Sequence, residues 1–351
     1  MMKSLLKETL INMTPTSRNR LPSSFVLLGV LAWVGCGATK STDEKLPGSP
    51  TSQKVAVQLN WYAEAEHGGV YQAKVDGTYD AAKLDVEIRP GGRATPVAAE
   101  VVLGRADFAI TNADDVVLYR AAGSDIVALM AAMQDNPRCI LVRADSGMTS
   151  WEGLKGMTLQ RQEGQGFVEF LRAKGALEGV QEVPYHGSVS NMVNDPKIAV
   201  QAYSFAEPFL AQEAGAEVKT FMVSELGWNP YSSVLVTRGD LIREKPELVA
   251  AFVKATQKGW QTYVSEPTEG NKAILAANQH GMTAGALEFG SKALVTLARP
   301  DEMPLAEVGK MSAERWKSLV DQMSEMKLIE PGSVKYEECF TDQFITLGTD
   351  K

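Results

Sequence analysis

Twelve consecutive residues, Asn60 to Tyr71 (NWYAEAEHGGVY), hold most of the chemistry-capable side chains of one neighbourhood. Glu64, Glu66 and His67 are the raw material of general acid–base catalysis, in which a carboxylate or imidazole moves a proton. Trp61 and Asn60 suit recognition instead. An indole stacks on a flat heterocycle, worth about 1 kcal/mol beyond burial, and an amide side chain offers both a donor and an acceptor. The segment follows the alternating apolar run Val55–Leu59 and leads into a helical pattern. Ligands of open α/β sheets bind where strands hand over to helices. Recognition is therefore the favoured use. Glu64 and Glu66 then read as a solvated loop rather than a catalytic pair. His67, beside Gly68 and Gly69, either contacts a ligand that the small glycines admit to the backbone or caps the helix.

Further candidates follow later strands. Asn112 is a polar contact or a helix N-cap. Glu163 opens a Gly-x-Gly helix entry, too little for a dinucleotide fingerprint. Tyr203 and Glu207 end another strand; Glu207 could accept from an exocyclic amine or sit in a first turn favoured by the helix dipole. Tyr231 offers a second aromatic wall or packs at a chain crossing. No Gly-x-Ser-x-Gly, His-Glu-x-x-His or phosphate-loop pattern occurs, so no catalytic residue is assigned and the chain is expected not to be an enzyme. The three histidines stand in no metal-ligand spacing, and neither a metal nor a cofactor is expected. Cys139 and Cys339 either pair or remain buried thiols.

These residues need a scaffold. Apolar strand-like runs at 55–59, 84–88, 106–110, 126–133 and 139–142 alternate with helical stretches, and the series resumes at 157–160, 182–185, 199–203, 219–223 and 233–237. From 239 onward the pattern is nearly all helical. Strand–helix alternation means a mostly parallel sheet with helices on its faces. The residues beyond 53 exceed one typical core, so two lobes are expected: 54–142 plus 239–351, and 143–238, hinged near 143–147 and 236–240.

Residues 1–35 have the layout of a secretory signal: Lys3, Lys7, Arg18 and Arg20, then an apolar stretch Phe25–Val34, then Gly35-Cys36. Ten apolar residues fall short of the ~20 of a bilayer span. Cys36 is a candidate for lipidation as the first mature residue, although Trp33 departs from the leucine preferred three positions earlier. Residues 36–53 read as a flexible tether. Without residues 1–35 the formal charge of −8 falls to −11, because four basic residues and one acidic one are removed. So acidic a domain is a poor nucleic-acid binder.

The order of motifs resembles the solute-binding proteins of ABC importers, in the branch that includes binders of alkanesulfonates and of thiamine-pyrimidine precursors. The resemblance rests on residues 60–71, on Gly104–Ile110, Asp145–Gly156, Gln201–Phe209 and Pro230–Val236. It implies a type II-like periplasmic binding fold, two α/β lobes closing on a small heterocycle, with Asn60, Trp61, His67, Asn112, Glu163, Tyr203, Glu207 and Tyr231 around it. It also implies an extracytoplasmic, lipid-anchored monomer that serves an ABC permease and ATPase. Alkanesulfonate, taurine, nitrate and riboflavin are the alternative ligands. The other classes are a pyrimidine-precursor biosynthetic enzyme and a sensor domain.

Overall fold

The computed structural model describes residues 52–346. The signal segment, Cys36 and the tether up to residue 51 lie outside the described residues. Gln53, placed in the tether from sequence, already begins the first strand. The ten strands are β1 (Gln53–Gln58), β2 (Leu84–Arg89), β3 (Phe108–Thr111), β4 (Ile126–Met133), β5 (Arg138–Arg143), β6 (Thr158–Arg161), β7 (Gln181–Pro184), β8 (Ile198–Tyr203), β9 (Val218–Met222) and β10 (Ser232–Arg238). They form two five-stranded sheets, in the orders β2-β1-β3-β10-β4 and β7-β6-β8-β5-β9.

The expected two-lobed α/β architecture is present, and the sheets show how the lobes are joined. In the first sheet β2, β1 and β3 pair in parallel, while β10 lies antiparallel between β3 and β4. In the second, β7, β6 and β8 pair in parallel, while β5 lies antiparallel between β8 and β9. Each sheet thus has one reversed strand. Both reversed strands are the ones that arrive from the other lobe. The crossings are therefore 134–137 and 223–231, and not the expected 143–147 and 236–240. An apolar strand such as Cys139–Val142 looks the same in either sheet; only its partners assign it.

Strand alternation sorts the core. Phe108 and Ile110 point to one face of the first sheet and Ala109 to the other. Phe252, from the long helix Pro246–Ser265, stacks on Phe108 at 4.1 Å and on Tyr79 at 5.3 Å. That helix carries a continuous apolar stripe, the expected signature of a helix laid on a sheet. The C-terminal segment shields the edge of β4: Ala128 N–H donates to Cys339 O at 2.8 Å, and Thr341 N–H to Ala128 O at 2.9 Å. Covering an open strand edge removes a template for aggregation. Cys139 and Cys339 are both buried and free, so the disulfide alternative falls away. Among the described residues no helix is long and apolar enough to cross a membrane.

Candidate functional site

A cavity of about 850 Å³ lies between the lobes. Its walls come from the segments after β1, β2 and β3 in the first sheet and after β6, β7 and β8 in the second. These are the C-terminal ends of the parallel strands, where this class of sheet places its ligands. The volume falls within the range of small-molecule sites.

Six of the eight expected residues line it: Asn60, Trp61, Asn112, Glu163, Tyr203 and Glu207. Trp61 packs against Tyr62 at 5.1 Å, and Tyr62 in turn lies 3.9 Å from the His280 ring. The three rings make an aromatic wall. Gly92 leaves room for it, since a Cβ there would stand 2.9 Å from the Tyr62 ring. Asn112 precedes the helix Ala113–Ala121, as expected of a cap, yet its side chain joins the lobes. Its Oδ1 accepts from Ser232 Oγ at 2.7 Å, and its Nδ2 donates to Tyr203 Oη at 3.4 Å. Glu207 starts the helix Glu207–Glu213. It accepts from Tyr203 N–H at 2.7 Å and from Tyr185 Oη at 3.2 Å. Glu163 stands at the rim, its side chain 85% exposed.

His67 and Tyr231 do not line the cavity. His67 is fully buried; its Nδ1 accepts from Glu64 N–H at 3.4 Å and its Nε2 meets Asn60 Oδ1 at 2.9 Å. It orients Asn60 from behind. Tyr231 turns towards the helix Ala313–Glu325, where its Oη accepts from Ser312 N–H at 3.0 Å and Arg315 stacks on its ring at 3.9 Å. The glycine pair behind His67 also has a different use. A Cβ on Gly68 would strike the Tyr263 ring at 2.0 Å, and one on Gly69 the Trp260 ring at 2.2 Å. These glycines admit a helix, not a ligand.

Sequence reasoning passed over the charges of the site. Glu64 and Glu66, which in the sequence read as a solvated loop, both line the cavity. Burial first, then the neighbouring charges of Glu66 and Glu207, push the Glu64 carboxyl well above the usual range. Burial also raises Glu207, against the bonds from Tyr203 and the charge of Arg138. Arg138, the first residue of β5, lies 4.1 Å over the Tyr203 ring and donates to Tyr203 Oη at 3.0 Å. The only sequence signal for it was an arginine directly after Asn136-Pro137.

Beside Arg138, Asp114 faces the second lobe: a Cβ on Gly166, at the start of the helix Gly166–Ala173, would stand 3.2 Å from its Oδ2. Burial first, then Asp115, raises the Asp114 carboxyl to about 7 from 3.8. A carboxyl raised on folding holds a proton that the unfolded chain releases, so stability falls as pH rises between those values. The paired surface acids such as Glu182, held low in the fold by Arg172 and Arg161 against the cost of burial, act in the opposite sense, but only below about pH 4.5. The protein is therefore expected to melt at higher temperature at pH 5 than at pH 8. Asp114→Asn should recover roughly 2 kcal/mol at pH 8 and flatten the profile. Melting curves across that range check it; an unchanged slope would count against a buried, raised Asp114.

Comparison with known proteins agrees with this architecture. The chain is 24% identical over 304 residues to the formylaminopyrimidine-binding protein of Halalkalibacterium halodurans, covering 84% of this chain and 90% of the relative. It is 20% identical over 315 residues to a 4-amino-5-hydroxymethyl-2-methylpyrimidine phosphate synthase of Legionella pneumophila, covering 85% and 94%. The crystal structure of the periplasmic aliphatic sulphonate binding protein SsuA of Escherichia coli superposes with a TM-score of 0.64 at 14% identity, covering 86% of this chain and 95% of that one. That likeness establishes the periplasmic binding protein fold. The family model described as NMT1/THI5 like matches residues 64–270, and the chain belongs to that family.

Proposed function

We propose that this protein is the extracytoplasmic substrate-binding component of an ABC importer, and that it captures a small heterocycle, a pyrimidine precursor of thiamine. In this reading the chain is anchored through a lipid on Cys36, and ligand capture closes the second lobe over the first by hinging at the two crossings. Trp61 stacks on the ring, while Asn60, Asn112, Tyr203 and Glu207 read its polar edge. His67 acts through Asn60.

The observation that carries the reading is the lining of the interlobe cavity. It combines an aromatic wall with carboxylates, and its arginines are already engaged. Arg161 pairs with Glu182 at 2.7 Å, Arg138 holds Tyr203, and Arg93 donates to His186 O across the lobes. An anion such as a sulfonate or nitrate would meet the carboxyl groups of Glu64, Glu66 and Glu207, while Arg161 is already paired with a carboxylate and Arg138 already faces Asp114, Asp115 and Glu207. The relative that binds formylaminopyrimidine supports the same choice.

Calorimetry of the purified protein with formylaminopyrimidine, riboflavin, taurine and nitrate tests it. We expect formylaminopyrimidine to bind with a Kd of about 1 µM or tighter and to be recovered unchanged. Tight taurine binding without pyrimidine binding would overturn the ligand. Conversion of the pyrimidine would move the protein to the enzyme class of its Legionella relative.

A further inference from the structure

Glu66 enters the reading above only as one of several cavity carboxyls, and its surroundings are unusual. It is 0% exposed and lines the cavity. Among the described residues neither of its carboxylate oxygens has a hydrogen-bond partner. His67 Nε2 lies 3.3 Å from Glu66 Oε1, yet its hydrogen is committed elsewhere. Nδ1 accepts from Glu64 N–H, which leaves the ring hydrogen on Nε2, and Nε2 is aimed at Asn60 Oδ1 at 2.9 Å. His67 therefore stands beside Glu66 without a directed bond to it.

The backbone of Glu66 is fixed as well. Ser233 Oγ donates to Glu66 O at 2.6 Å, and Ser233 itself holds a left-handed φ of 48°. A non-glycine residue keeps that conformation only where its surroundings enforce it. A buried carboxylate without donors is costly; both oxygens are closed off from solvent at the cavity wall, and N–H donors presented from the cavity side would satisfy them.

We infer that Glu66 reads the charge of the ligand, and that it takes an edge of adjacent N–H donors with positive character: an amidinium or a protonated aminoheterocycle. The N–C–N unit of such a group presents two parallel N–H bonds to the two oxygens of one carboxylate. Glu64, two residues before it, and Glu207, from the other lobe, add carboxyl groups to the same wall, and repulsion from Glu66 and Glu207 is part of what pushes Glu64 upward. A cation relieves their repulsion; an anion adds to it. The inference rests on the cavity being the ligand site, as proposed above, and narrows the substrate class of that site.

Three probes of similar shape and different charge separate the possibilities: benzamidine, benzamide and benzoate, titrated beside formylaminopyrimidine into the wild type and Glu66→Gln. Wild type is expected to bind benzamidine about tenfold or more tightly than benzamide and to leave benzoate unbound. Glu66→Gln should lose that preference, keep its affinity for benzamide, and bind formylaminopyrimidine about tenfold more weakly. Equal affinity of the wild type for benzamidine and benzamide, or no benzamidine binding, overturns the assignment; so does a preference that survives in Glu66→Gln. If that variant fails to fold, the wild-type preference alone decides. Benzamidine selectivity without formylaminopyrimidine binding would reject the pyrimidine ligand and uphold Glu66. Formylaminopyrimidine binding that Glu66→Gln leaves unchanged, with no amidinium preference, would do the reverse.

Discussion

Gly259→Ala is expected to destabilise the protein by about 3 kcal/mol, beyond the usual cost of one methyl group too many because the obstacle is backbone. For a chain of this size that corresponds to a fall of roughly 5–10 °C in unfolding temperature. Gly259 lies inside the helix Pro246–Ser265, where alanine is intrinsically the better residue by up to ~1 kcal/mol. Propensity therefore predicts a gain and packing a loss. Packing wins on distance: a Cβ there would stand 2.2 Å from Gly69 O and 2.7 Å from Ala73 Cβ. The contact is reciprocal, since Gly68 and Gly69 receive Tyr263 and Trp260 from the same helix. The long helix cannot retreat without lifting Phe252 from Phe108. Differential scanning calorimetry decides the sign; a rise in unfolding temperature would mean that the helix pair is looser than its geometry.

The Gly68-Gly69 pair also shows where the sequence was readable and where it was not. Two glycines at the start of a helix signal that something comes close, and something does. Their spacing carries no information on whether that is a ligand or a tryptophan 191 positions away. The same limit explains His67 and Tyr231. Both sit in the right local context, at a strand end and at a crossing, but a side chain takes one of two faces and the choice belongs to distant partners. The fold was legible because it is written in short-range periodicity: the alternation of Leu84–Ile88 and the apolar stripe of 246–264 each name an element unaided. Strand partners are not written locally, which moved the hinge crossings by one strand. The aromatic and amide residues Trp61, Asn60 and Tyr203, and the carboxylate Glu207, were legible as cavity-lining candidates because they follow strands. Glu64, Glu66 and Arg138 were not, since charge in a loop ordinarily means solvent. Only the packing of the two lobes against each other turns those charges inward.

Arg138→Met should destabilise the protein by about 3 kcal/mol at pH 8 and by much less at pH 5. The guanidinium is the shared counter-charge of Asp114, Asp115 and Glu207, and it opposes the rise that burial imposes on each. Removing one partner of a buried charge set leaves the others uncompensated, which typically costs 3–5 kcal/mol; Arg138 is only half-buried, so the lower end applies. Methionine keeps much of the length and loses the charge, so the loss should track the charge of its neighbours. At pH 5 a carboxyl raised to about 7, such as Asp114, is largely protonated and needs no partner. A packing role predicts the same loss at both pH values. Arg138 also clamps Tyr203 by stacking and by its bond to Oη, and it stacks on Phe167 at 4.9 Å. Arg138→Lys restores the charge without the planar fork that makes these contacts. It should therefore recover stability at pH 8 and still bind ligand more weakly, because Tyr203 carries one wall of the cavity. Equal melting temperatures for wild type and Arg138→Met at pH 8 would show that the carboxylates of this cleft find their counter-charge elsewhere.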